Sequence, residues 1–252
     1  HGAAITAGPE DRNETPEANF KANIDPALHV LEYAQAHNVR RTLLISSDAV
    51  FRGASVIGAI PEETAMRPIG LYATAKYALE RLTQTLREDY GRDVVCIRLG
   101  SIYGRYELAR SSRPRVSMVT QLIGQALDGQ TLHVTDDFTD DWTLASDVGR
   151  AVAALLSAES LSYALYNVNS GEGLTQAELA QAIKRNLRNV KVQLADAVTH
   201  AKAILPRHSS NLRIARDVDY DAWTPFAEGV RVAIDWQRQQ LDTTPTRTGT
   251  QS

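Results

Sequence analysis

The chain has 252 residues, of which 43% are hydrophobic and 23% charged, with a formal net charge of -3. That is enough for one large or two modest cores, and the mixed charges leave no footprint of a nucleic-acid or anionic-membrane binder. A lone cysteine, Cys96, rules out a disulfide framework within the chain; with no long apolar run and no signal-peptide signature, a reducing, cytoplasmic setting is expected.

In chain order, the apolar runs AAIT at 3–6, RTLLIS at 41–46, VVCIRL at 94–99 and LYNVN at 165–169 read as buried parallel strands. Helical patterns lie between them, which predicts an α/β fold with a mostly parallel sheet. The first pattern, residues 16–38, contains Pro26, which should kink or split it because proline lacks an N–H and clashes with the preceding turn. The second, from about 69 to 88, puts Tyr72, Ala75, Leu79, Leu82 and Leu86 on one stripe.

Beyond residue 100 the pattern is less regular. RYELARSSRPR at 105–115 reads as a basic loop, MVTQLIGQALDG as a helix, HVTDDFTDDW as a polar connector and SDVGRAVAALLSA as another helix. In GLTQAELAQAIKRN, Thr175 and Glu178 have capping-box spacing. The expected organisation is a dinucleotide-binding unit over 1–100, to which 143–165 returns, and a smaller mixed substrate unit over 101–142 and 166–240. The polar tail 241–252 is expected to be disordered.

The six histidines, at 1, 29, 37, 133, 200 and 208, form no close pair, and no metal site is expected. A different chemistry is offered by Tyr72 and Lys76, four apart and so on one helical face. A nearby ammonium favours phenolate and lowers a tyrosine pKa from about 10 toward neutrality, as proton transfer requires. Taken alone, Y-x-x-x-K occurs by chance on many helices. What raises its weight is LLISSDAVF, an apolar strand that ends in Ser46 and Ser47, because open α/β sheets bind ligands at the carboxyl ends of their strands.

SS-x-x-V-[YF] with Ser47 placed 25 residues before Tyr72 resembles the extended short-chain dehydrogenase/reductase family, the NAD-dependent epimerase/dehydratase group. HGAAIT at 1–6, KANIDPALHVLEYA, RLGSIYG at 98–104, DDWTLASDV and YNVNSGEGLTQAELA resemble further motifs of that family in the same order. The resemblance implies a Rossmann-like doubly wound sheet, a cofactor that is NAD or NADP, and a homodimer. It implies Tyr72 as the general acid/base, Lys76 as the ribose-binding cation and Ser47 as the donor to the reacting oxygen. Gly2, Ala3, Ala4, Ser46 and Leu99 would border the cofactor together with Tyr72 and Lys76. Asn23 is expected on the substrate side, where it would either position a water near Lys76 or satisfy backbone in its own kinked helix.

Family members begin with a strand, a G-x-x-G-x-x-G turn and a helix that receives the cofactor pyrophosphate. None of these 252 residues forms that motif. By the resemblance the chain opens near the end of the family's fourth strand, about a quarter short, and weak or absent NAD binding is expected.

Three departures bear on the reaction. Asp48-Ala49, without a following glutamate, disfavours the 4,6-dehydratases. Asp140 stands where epimerases carry a diphosphate-pairing arginine, which counts against a nucleotide sugar. Ser101 followed by Arg110 resembles the uronate dehydrogenases, in which a serine and an arginine hold a carboxylate, a task the planar guanidinium suits. The expectation is therefore an NAD(P)-dependent oxidoreductase acting on a small polar carbohydrate, carboxylated ones included. The second reading is a sugar-nucleotide epimerase, and a reading of another class is a cofactor-free binding remnant of the fold.

Overall fold

The structure, a computed structural model, describes residues 1–136, 139–195 and 207–243. In chain order its elements are α1 (Pro9–Arg12), α2 (Pro16–Ala36), β1 (Thr42–Ser47), a 3₁₀ turn (Asp48–Phe51), β2 (Gly58–Ile60), α3 (Leu71–Glu88), β3 (Val94–Leu99) and β4 (Ser101–Tyr103). There follow α4 (Met118–Leu127), β5 (Leu132–Val134), β6 (Thr139–Asp140), β7 (Trp142–Leu144), α5 (Ala145–Ser157), β8 (Leu165–Asn167), β9 (Leu174–Thr175) and α6 (Gln176–Asn186). The last are β10 (Val192–Leu194), β11 (Arg207–Ser209), α7 (Leu212–Val218) and α8 (Phe226–Thr243).

Strands that are apolar on both faces need cover on both faces, and β1, β3 and β8 receive it. They pair in parallel in the order β1-β3-β8. Side chains alternate along a strand, so Leu44, Val94, Cys96 and Leu165 pack on Ala27 and Leu31 of α2 and Leu79 of α3. On the other face Leu43, Val95, Ile97 and Tyr166 meet Val148, Ala151 and Leu155 of α5 and Ile214 of α7. This is the expected α/β arrangement, with helices on both sides of a parallel sheet. A second core draws on α4, β5, β7, α6 and α8 around Ile123, Leu132, Trp142, Leu179, Ile183 and Ile234. Its α6 starts with the expected capping box, Thr175 accepting from the Glu178 N–H and Glu178 accepting from the Thr175 N–H.

Three local expectations are corrected. Residues 3–6 form no strand. Only His1 runs beside β1, its nitrogen donating to Leu43 O at 2.7 Å and its carbonyl accepting from Ile45 N at 3.0 Å. At Ile5 the chain has left the sheet edge, and the Asn23 amide takes both of its backbone groups. Pro26 does not split its helix: α2 runs unbroken from Pro16, with Ala27, Leu31 and Ala34 buried. Proline there forfeits one hydrogen bond, to the carbonyl four residues earlier, and burial of the apolar stripe outweighs that loss. The expected tail from 241 is helical as far as Thr243, while 244–252 lie outside the described residues. No helix among the described residues is long and apolar enough to cross a membrane.

Candidate active site

Parallel pairing puts Ser46 opposite Arg98 and Ser47 opposite Leu99, so the carboxyl ends of β1 and β3 finish at one edge. The start of α3 is aimed at that edge by Gly70, whose φ of 88° is a left-handed conformation that glycine adopts without strain. Tyr72 stands in the first turn of α3, half-buried, and Lys76 follows one turn later at 2% exposure. The Lys76 ammonium donates to Ile45 O at 2.7 Å and lies 5.6 Å from the centroid of the Tyr72 ring.

Burial is the largest influence on both groups. It lowers the Lys76 pKa, and the negative charges that Cys96 and Glu80 can carry pull it back up. Burial raises the Tyr72 pKa; a hydrogen-bonding interaction with Ser47 opposes that, Asp48 adds to it, and the positive charges of Arg113 and Arg52 oppose it. The expected lowering by Lys76 is therefore not seen in this arrangement. Its ammonium is directed at Ile45 O and sits over the phenol ring, and Tyr72 is a neutral phenol at neutral pH.

Ser47 ends β1 and accepts from Ala49 N at 3.2 Å, capping the 3₁₀ turn that carries Asp48. Ser46 turns the other way, fully into the protein, and donates to Glu80 Oε1. Glu80 in turn holds Arg98 through Nε at 3.0 Å and Nη2 at 2.8 Å, both side chains being at most 1% exposed. Arg98 also donates to Glu62 O at 3.0 Å and lies 4.5 Å from the Phe51 ring centroid. The result is a buried ionic strut joining β1, β3 and α3 behind Tyr72 and Lys76. Sequence reasoning overlooked it, although an arginine inside VVCIRL and an acid four residues beyond Lys76 were visible signals.

Gly2 packs so close to β1 that a Cβ would come within 2.8 Å of Ile45 Cδ1. Ala3 is exposed and Ala4 half-buried, and Leu99 is half-buried across from Ser47. Asn23, expected at the substrate, is 1% exposed and committed to backbone. Its oxygen accepts from Ile5 N at 2.9 Å, and its amide donates to Ile5 O and Asn19 O at 3.1 and 3.2 Å. A substrate contact from Asn23 would leave those backbone groups orphaned.

Ser101, expected on a substrate carboxylate, donates instead to Asp140 Oδ2 at 2.6 Å. Arg110 is exposed and joined to Arg113 by paired backbone hydrogen bonds of 2.9 Å. Of the two it is Arg113, ion-paired to Glu107 at 2.7 Å, whose charge reaches Tyr72. The other such cation, Arg52, was not among the residues expected. It has no side-chain partner among the described residues, and it lines a pocket of about 200 Å³ with Asp48, Ser101, Asp140, Asp141 and His208. Burial raises Asp141 to about 6, although it accepts from Ser170 Oγ, Ser209 N, Gly171 N and Thr143 Oγ1. Those bonds tie β11 and the loop after β8 to the pocket wall. Among the described residues no cluster of three or more His, Cys, Asp or Glu could hold a metal ion.

The donor chemistry suits the ribose end of a nicotinamide cofactor. An ammonium carries three N–H donors; that of Lys76 uses one on Ile45, and the others meet no acceptor among the described residues. The Tyr72 phenol stands beside it.

Over residues 1–169 the sequence matches the profile of the NAD dependent epimerase/dehydratase family. A UDP-glucuronate 4-epimerase of Thermodesulfobacterium geofontis is 23% identical, the match covering 95% of this chain and 72% of the relative. UDP-arabinose 4-epimerase 1 of Arabidopsis thaliana is 27% identical across 84% of this chain and 54% of its own length. Among solved structures, UDP-glucose 4-epimerase of Thermotoga maritima superposes with a TM-score of 0.78 at 19% identity, covering 95% of this chain and 76% of that one. A dTDP-glucose 4,6-dehydratase of Bacillus anthracis in complex with NAD gives 0.72 at 16% identity, with coverage of 93% and 76%. At these identities the structural likeness speaks to the Rossmann-like fold.

Proposed function

The chain belongs to the NAD dependent epimerase/dehydratase family, and on that premise we propose that it inverts a secondary alcohol centre, C4, of a nucleotide-linked sugar. The observation that carries the proposal is the convergence of Ser47, Tyr72 and Lys76 at the carboxyl end of β1. Two relatives covering 95% and 84% of this chain bear the names of UDP-sugar 4-epimerases. They favour the epimerase reading over the net dehydrogenase that the sequence first suggested.

NAD, when bound, supplies an acceptor and donor of hydride. Lys76 holds the nicotinamide ribose with its remaining N–H donors, and Gly2, Ala3, Ala4, the Ser46 backbone and Leu99 flank that end. Tyr72 takes the proton of the reacting hydroxyl and returns it to the same oxygen after inversion. Ser47 donates a hydrogen bond to that oxygen and steadies the charge that develops there. Burial keeps the Tyr72 phenol protonated at neutral pH and makes it a weaker acid. Its service as a base requires substrate and cofactor to complete the electrostatic surroundings.

The test is incubation of the chain, joined ahead of residue 1 to a strand, glycine turn and helix of the family, with NAD and a UDP-sugar, following the sugar by proton NMR and the reduced cofactor by absorbance. The C4 epimer should form while NADH does not accumulate. An oxidised sugar formed with matching NADH would restore the dehydrogenase reading.

A further inference from the structure

We infer that the Ser101–Asp140 pair reads a neutral hydroxyl of the sugar and excludes a carboxylate from that place, so that the substrate carries a hexose or pentose in preference to a uronate. The inference rests on the epimerase reading and deepens it.

A serine hydroxyl has one proton to donate. That of Ser101 goes to Asp140 Oδ2 at 2.6 Å, so it is not available to a substrate carboxylate. The other carboxylate oxygen of Asp140 accepts from Asp141 N at 3.0 Å. An ionised carboxylate only accepts, and each oxygen can take a second donor. A sugar hydroxyl brings a donor to that wall, whereas a uronate brings two further acceptors and a like charge. The rest of the lining adds the carboxylates of Asp48 and Asp141, with Arg52 and His208 as its basic side chains. Arg110, the arginine expected to anchor a carboxylate, does not line this pocket.

Binding can be measured without relying on turnover, by titration calorimetry of the chain with UDP-glucose and with UDP-glucuronate in the presence of NAD. Like charges brought together cost several kcal/mol, so UDP-glucose should bind at least about tenfold more tightly. Asp140→Asn should bring the two affinities together by tightening UDP-glucuronate. Ser101→Ala, which leaves the charge in place, should keep the preference. Equal or tighter binding of UDP-glucuronate by the wild type overturns the inference, as does an unchanged ratio in a folded Asp140→Asn variant. Should the preference be found while NADH accumulates with substrate, the epimerase reading falls and the selectivity stands. Epimerisation of both sugars without a binding preference would remove the inference alone.

Discussion

Lys76 lies one helical turn beyond Tyr72 and anchors its ammonium on Ile45 O at 2.7 Å, which places the cation 5.6 Å from the tyrosine ring centroid. The helix and the strand that flank the site are thereby joined by one side chain. Lys76→Met keeps the length of that side chain and removes its donors. Hydrogen bonds to charged groups are worth about 1.5–3 kcal/mol, so NAD affinity should fall by about 10- to 100-fold. Titration with NAD of wild type and variant, each joined ahead of residue 1 to the family's strand, glycine turn and helix, checks this, and equal affinities would contradict the ribose-holding role.

The strut behind the site can be tested through stability. Glu80→Ala leaves Arg98, which is fully buried, without its bidentate partner. Breaking a buried pair from one side costs about 3–5 kcal/mol. Urea denaturation should show a loss of that size, and Glu80→Leu combined with Arg98→Met should recover most of it. A loss below about 1 kcal/mol for the single variant would show that the pair contributes little.

How far the sequence could be read depended on whether a residue's partner was near it in the chain. β1, β3 and β8 were legible because strands buried on both faces are written as apolar runs. Tyr72 and Lys76 were legible because helical spacing alone puts them together, and Ser47 because it ends a strand. The Glu80–Arg98 strut joins residues of different elements, and Ser101 meets Asp140 only because β4 pairs with β7, next to β6. Neither pairing is encoded locally. Asn23 was open to two readings at the sequence level, and only the path of residues 1–6 away from the sheet shows which groups its amide serves. Arg110 was preferred among several arginines of one basic loop by its distance from Ser101. Exposure and pocket lining, which set Arg52 apart, belong to the fold.

Gly229, in the first turn of α8, leaves room for the Tyr103 hydroxyl, which an added Cβ would overlap. Tyr103 is 2% exposed and packs edge-on against Phe226, so it cannot easily withdraw. Overpacking costs about 1–3 kcal/mol, which offsets the roughly 1 kcal/mol that alanine gains over glycine in a helix. Thermal melts should show Gly229→Ala no more stable than wild type and clearly less stable than the same change made in Tyr103→Phe. A stabilised single variant would contradict the packing.

Asp141 makes stability depend on pH in a defined direction. Its folded pKa of about 6 lies above the ordinary 3.8, so across that window the folded chain binds more proton than the unfolded. The contribution is complete below 3.8 and is lost as pH rises through about 6. A shift of about two units corresponds to at most about 3 kcal/mol. Comparing unfolding free energies at several pH values, wild type should lose stability relative to Asp141→Asn as pH increases over this range. A relative gain would mean that the four hydrogen bonds to the carboxylate outweigh its burial.

The most direct test of the account is proton transfer by Tyr72. With NAD and UDP-glucose, NMR should show the wild-type chain, joined ahead of residue 1 to the family's strand, glycine turn and helix, forming the C4 epimer. General acid–base assistance contributes about 100- to 10,000-fold, so Tyr72→Phe should lose at least 100-fold of that rate while keeping its circular dichroism and melting behaviour. A folded Tyr72→Phe variant that retains more than a few per cent of the wild-type rate, or a wild type that forms no epimer, would contradict it.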